Sequence, residues 1–208
     1  MTLLFVIIAL ILSLTLHEFM HAWTSHYLGD MTAHHHGRLT LNPLAHIDPF
    51  MTLLLPIALI LAHSPVVFGA ARPVPFNPHA VRGGKWGAAL VAIAGPLTNL
   101  FLAVFFAMWL RLVSPPPWAI NLFVQIIVVN IGFFVFNMIP FPPLDGSRVL
   151  YAAAPLGLRQ VMDTIERAGI WVFAIALFVL FPIISPFITA VTKDILQVLV
   201  PGITSLGA

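Results

Sequence analysis

Long apolar runs interrupted by proline dominate this 208-residue chain and leave it few folds. Residues 2–28, 86–113, 119–139 and 168–200 each reach the ~20 residues that a helix needs to cross a bilayer. The run at 86–113 is closed by the triple proline Pro115, Pro116 and Pro117, and the run at 119–139 by Pro140, Pro142 and Pro143. A further run, 50–62, is short and carries Pro56 in its middle, so it fits a re-entrant or kinked helix as well as a span. Pro182 and Pro186 divide the last run, which reads as one kinked helix or a helical hairpin. The expectation is an all-α integral membrane protein with about five to six transmembrane or re-entrant helices. It forms a single domain over 1–208, with a core at about 1–150 and the C-terminal helical segment or hairpin at about 168–200.

Composition agrees. The chain is 60% hydrophobic and 8% charged, against about 25% charged in a soluble domain. A net charge of +2 implies no nucleic-acid partner, and the absence of cysteine excludes disulfides, thiolate metal sites and thiol catalysis. The first run has no Lys or Arg before Leu16 and leads straight into polar residues, so it reads as a retained membrane helix and not a signal peptide.

Two loops differ from this background. Residues 29–49 contain Arg38, Leu39, Thr40 and Leu41, an alternating stretch that reads as a short β-like segment beside the membrane, able to pair with an extended peptide. Residues 64–85 are rich in Pro and Gly and hold Arg72, Arg82 and Lys85, which places this loop on the cytoplasmic side.

The chemistry concentrates at His17-Glu18-Phe19-Met20-His21. On a helix the two histidines sit about 40° apart around the axis, so both imidazoles can hold one metal ion. Glu18 beside them is suited to take a proton from a metal-activated water. From the composition, this pattern arises by chance in roughly 0.4% of such chains, so coincidence explains it poorly. A catalytic zinc needs a third protein ligand. His26 falls on the wrong face, about 140° from His21. Asp145 is the better candidate, because it follows the broken end of an apolar run and precedes Gly146; Asp48 is its rival and Asp30 a weaker one. Asn99, at the Gly95-Pro96 break, fits either peptide binding or a buried packing role, and Asn137 either an oxyanion donor or a loop tie. His34, His35 and His36 fit an interfacial polar patch or a second metal site, while His46, His63 and His79 read as packing, interfacial or loop residues.

These stretches together resemble the site-2 protease family, the zinc metalloproteases that cut within membranes, in its compact form without PDZ or CBS domains. The resemblance rests on His17-Glu18-x-x-His21, on the loop from Gly29-Asp30 through Gly37-Arg38 to Asn42-Pro43 and His46-x-Asp48-Pro49, on Arg72 to Pro78, on Gly95-Pro96-x-x-Asn99, and on Asn137 to Gly146. It implies His17, His21 and Asp145 as ligands of one zinc per chain, raising Asp145 above Asp48, with Glu18 as general base and Asn99 engaging substrate. The implied function is a zinc endopeptidase that cleaves transmembrane segments of membrane proteins; the expected location is the cytoplasmic membrane of a prokaryote, and the stretch from Arg38 to Asn42 is expected to pair with the unwound substrate. Ligating histidines must be neutral, so metal binding should weaken in acid. The alternatives are a non-proteolytic, metal-binding pseudoprotease or chaperone, which an intact Glu18 disfavours, and a metal transporter, which would need charged groups spread over more of the spans.

Overall fold

The computed structural model describes residues 2–54, 58, 61, 71–113 and 115–201. The described chain is helical: α1 (Thr2–Tyr27), α2 (Thr32–His35), a 3₁₀ turn (Pro43–Ala45), a π-helical turn (Pro49–Leu54), α3 (Gly84–Leu112), α4 (Pro117–Asn137), α5 (Asp145–Ala153), α6 (Leu156–Arg167) and α7 (Ile170–Leu199). Four stretches are long and apolar enough to cross a membrane: Leu3–Tyr27, Gly84–Leu112, Pro117–Asn137 and Phe178–Leu199. Four spans are thus described; the expected five to six, which includes re-entrant helices, is not reached among the described residues. Residues 55–57, 59, 60 and 62 of the run at 50–62, and His63, lie outside the described residues. Pro182 and Pro186 are accommodated inside a single helix, so the C-terminal block is one helix and not a hairpin.

The distribution of side chains is that of a protein in lipid. On α1 the buried positions include Phe5, Ala9, Ser13, His17, His21 and Ser25, a ladder at intervals of four residues that puts polar groups on the inner face. The outer face carries Leu3, Leu4, Ile7, Ile8, Leu10 and Ile11, all exposed. A soluble helix arranges these the other way round. Helix α1 packs against α3 and α4, and α7 leans on α4. Between α3 and α4 the core sets the small residues Ala103 and Ala107 against Ile127, Ile131 and Val135, which lets the two backbones approach.

No strand occurs among the described residues, and the β-like segment expected at Arg38, Leu39, Thr40 and Leu41 is a bend. Its backbone is satisfied locally: Arg38 N donates to Ala33 O, His46 Nε2 donates to Thr40 O, and Asn42 N donates to Thr40 Oγ1. With no neighbouring strand to complete a ladder, alternation alone does not make a β-segment. Residues 71–77 carry no helix or turn, and the residues before Pro73, Pro75 and Pro78 are biased toward extended backbone.

Candidate metal centre

His17 and His21 project from α1 toward α3, and Asp145 meets them from the first turn of α5. The two imidazoles stand edge to face, with centroids 4.6 Å apart. Their Nε2 atoms are 3.0 Å apart, and Asp145 Oδ2 lies 3.2 Å from that of His17 and 3.3 Å from that of His21.

The other ring nitrogens fix which atoms carry hydrogen. His21 Nδ1 faces the carbonyl oxygen of Val91 at 2.8 Å, an atom that only accepts, so His21 Nδ1 is the donor. His17 Nδ1 faces Asn99 Oδ1 at 2.6 Å, and the Asn99 amide nitrogen is committed elsewhere, to Ser13 O and Asn130 Oδ1. In the neutral rings, therefore, both Nε2 atoms present lone pairs to each other and to a carboxylate oxygen. Three acceptors at this spacing call for a positive charge among them. Two imidazole nitrogens and one carboxylate oxygen are a donor set that zinc accepts while keeping a fourth position open.

Close approach of α3 makes this possible. A Cβ on Gly95 would fall 2.4 Å from His21 Nε2 and 2.7 Å from His17 Cε1, so only a glycine fits there. Gly146 has the same role beside Asp145, since a Cβ there would fall 2.4 Å from Met138 O at the end of α4. Burial alone would raise the Asp145 carboxyl, but positive charge facing it, carried first by a protonated His21 ring when no metal is bound, outweighs burial and holds the group below the usual carboxylate range.

The cluster opens on a cavity of about 770 Å³ whose wall includes His17, Glu18, His21, Asn137 and Asp145. Glu18 is buried, and its Oε2 accepts a hydrogen bond from Val74 N at 3.2 Å. Val74 belongs to the run 71–77, which also lines the cavity. The composition of 64–85 marks a proline-rich loop and the resemblance includes Arg72 to Pro78, but neither assigns Val74 a contact with Glu18.

The remaining candidates do not join the three converging ligand atoms. Asp48 reaches the cavity, but its Oδ1 accepts from Phe50 N and Met51 N and caps the turn that follows. Asp30 accepts from Ser25, Thr32 and Asn77. Asn99 is fully buried behind His17, and Asn137 donates to Phe133 O at 3.0 Å while facing the cavity. Arg38 is buried with its guanidinium on Ala45 O, and Leu39, Thr40 and Leu41 do not line the cavity. Burial, followed by the nearby Arg72, lowers the Arg38 pKa from its usual value, with Glu18 opposing. His26 stacks on His34, His36 Nδ1 meets Thr32 O, and His46 is fully buried.

The sequence is 37% identical over 196 residues to a Bacillus subtilis (strain 168) protein named "Putative zinc metalloprotease YwhC", covering 87% of this chain and 86% of that one. It is 35% identical over 149 residues to the Mycolicibacterium smegmatis protein named "Putative zinc metalloprotease Rip2", covering 70% of this chain and 55% of that one. The Rip2 of Mycobacterium tuberculosis (strain H37Rv) is 36% identical over 160 residues, covering 74% of this chain and 57% of that protein. The chain thus spans most of YwhC and a little over half of the Rip2 proteins. It belongs to the zinc metalloprotease family that these proteins represent. No family model and no solved structure matches the chain.

Proposed function

We propose that this chain is a zinc endopeptidase of the site-2 protease class, hydrolysing peptide bonds in or beside the membrane-spanning segments of other proteins in a prokaryotic cytoplasmic membrane. The observation that carries this reading is the convergence of His17 Nε2, His21 Nε2 and Asp145 Oδ2 within 3.0–3.3 Å of one another, on the wall of a cavity inside a bundle of apolar helices. These three residues hold the metal. A zinc ion there supplies, when bound, a Lewis acid for the scissile carbonyl and a water acidic enough to ionise near neutral pH.

Glu18 is the proton carrier. Its carboxylate lines the same cavity and is oriented by the Val74 N–H, so it can accept a proton from the attacking water and return it to the departing amine. Asn137 spends one amide hydrogen on Phe133 O and offers the other to the oxygen that gains negative charge during attack. The largely apolar helices around the cavity lower the local polarity, which strengthens each of these interactions. A helical substrate conceals its carbonyls in internal hydrogen bonds, so it must unwind before its backbone reaches Glu18.

The test is zinc content and cleavage of a membrane-embedded reporter, measured in detergent on wild type, Glu18→Gln, His21→Ala and Asp145→Ala. Wild type should carry one zinc per chain, both ligand variants should lose it, and Glu18→Gln should keep the metal while cleavage falls by about 10²–10⁴-fold. Cleavage by Glu18→Gln at the wild-type rate would overturn the role of Glu18. Metal binding without cleavage in wild type would favour a non-proteolytic, substrate-holding protein.

A further inference from the structure

Behind the metal cluster lies a second polar group that the proposed chemistry does not use: Ser13 on α1, Asn99 on α3 and Asn130 on α4, all 0% exposed. They meet where α1, α3 and α4 pack together, each within a helix able to cross the membrane. Polar side chains at such a depth are costly unless satisfied, and these satisfy one another.

The directions of these bonds follow from one atom. The Ile126 carbonyl can only accept, so the Asn130 group 2.8 Å from it is Nδ2, which also donates to Ser13 Oγ at 2.7 Å. Asn130 must then turn Oδ1 toward Asn99, whose Nδ2 donates to it at 2.8 Å. Asn99 Nδ2 also reaches Ser13 O at 3.3 Å. With its nitrogen so engaged, Asn99 can offer only Oδ1 to His17 Nδ1, at 2.6 Å. A ring that donates from Nδ1 keeps Nε2 as a lone pair, and His17 Nε2 is the atom that faces His21 and Asp145. Were the Asn99 amide reversed, its N–H₂ would face Nδ1, the proton would move to Nε2, and that nitrogen would no longer be a ligand.

We infer that Asn130, with Ser13, is a positioning residue of the metal centre: it fixes the Asn99 amide, and through it the His17 tautomer that binds metal. The inference rests on the zinc reading for its consequence, but the tautomer can be observed without zinc. Asn130 touches neither metal nor substrate. Its effect passes through two hydrogen bonds, from α4 to α3 and from α3 to α1.

The experiment compares wild type with Asn130→Leu, which removes the acceptor for Asn99, Asn130→Asp, which keeps one, and Ser13→Ala, which loosens the group while preserving its shape. Ile127→Ala, a void in the apolar core on the same helix, is the control for general destabilisation. Two quantities are read: zinc affinity by competition with a chelator, and the ¹⁵N signals of the His17 ring in metal-free protein labelled at histidine, assigned by their loss in His17→Gln. In wild type the His17 proton should sit on Nδ1. Asn130→Leu should bind zinc about tenfold more weakly and show His17 protonated in part on Nε2. Asn130→Asp keeps the acceptor for Asn99 but, as a neutral acid, only one of the two donated bonds, so it and Ser13→Ala should both fall between wild type and Asn130→Leu. Ile127→Ala should lower the unfolding temperature without moving either reading. Wild-type affinity and tautomer in Asn130→Leu would overturn the inference; if that variant does not fold, the same result in Asn130→Ala would do so. A wild type that binds no zinc would defeat the zinc reading instead, while the ring signals would still judge the positioning role.

Discussion

Asp30 shows how one buried carboxylate can hold a loop over a membrane site. Its two oxygens accept from Ser25 Oγ at 2.9 Å, Asn77 N at 2.7 Å, Thr32 N at 3.0 Å and Thr32 Oγ1 at 2.6 Å. It therefore ties the end of α1 to α2 and to the run that carries Val74. Burial by itself would raise its pKa, but the bonds from Thr32, Asn77 and Ser25 outweigh burial and lower the pKa from 3.8. A carboxyl lowered on folding contributes stability that is fully present above its unfolded value and is lost as pH falls through the folded one. Thermal unfolding in detergent should therefore show the Asp30 contribution at neutral pH and its loss below about pH 4. Asp30→Asn should destabilise the neutral protein by about 1–3 kcal/mol and flatten this acid limb, because it presents an N–H₂ to groups that donate. An unchanged unfolding temperature at neutral pH would remove Asp30 as the tie. The same exchange of donors and acceptors explains why Asp30, a candidate ligand by composition, is not available to a metal.

At the scale of elements, α3 does most to shape the centre. Pro96 removes the donor that would have bound the Ala92 carbonyl, and the carbonyl of the adjacent Val91 receives His21 Nδ1. Gly95 brings the helix backbone against both imidazoles. Gly95→Ala is therefore expected to push His21 away from Asp145, with loss of zinc measurable by mass spectrometry while the helical content read by circular dichroism is retained. Full zinc occupancy in that variant would mean that α3 can shift without cost. Helix α1 contributes a rigid spacing: His17 and His21 share the inner face with Ser13, so metal ligand and supporting polar group are fixed by the same turn-on-turn geometry. The fine positioning of Asp145 comes from Gly146, whose backbone lies against Met138 at the broken end of α4.

For the whole molecule, the charges lie unevenly between the two ends of the bundle. The ends joined by the bond from Arg82 N to Leu28 O, together with the segments before α3 and between α4 and α7, carry Arg38, Arg72, Arg82, Lys85, Arg148, Arg159 and Arg167. The opposite end, where Arg111 Nη2 meets Val198 O, carries only Arg111 and Lys193. Lys and Arg favour the cytoplasmic side, so the end bearing the metal cluster should face the cytoplasm. Because the chain has no cysteine, single introduced thiols can report this. In intact cells a membrane-impermeant maleimide should label Val113→Cys and leave His79→Cys unmodified until the membrane is opened. The reverse pattern would invert the orientation.

The sequence by itself determined the solvent, the class and the inner half of the site. Long apolar runs and 8% charge admit little but membrane helices, and the four-residue spacing of His17 and His21 is converted to shared direction by the pitch of a helix alone. Such inferences are local: they need only the regular geometry of one element. What required tertiary structure was every relation between elements. That Asp145 and not Asp48 stands 3.2 Å from His17 depends on how α5 is set against α1. That 38–41 is a bend and 71–77 part of the cavity wall depends on which backbone groups find partners, and alternation of residue types carries no record of that. Asn130 is the clearest case. In the chain it is one polar residue in an apolar run, 113 positions from His17, and only the packing of three helices gives its amide a direction.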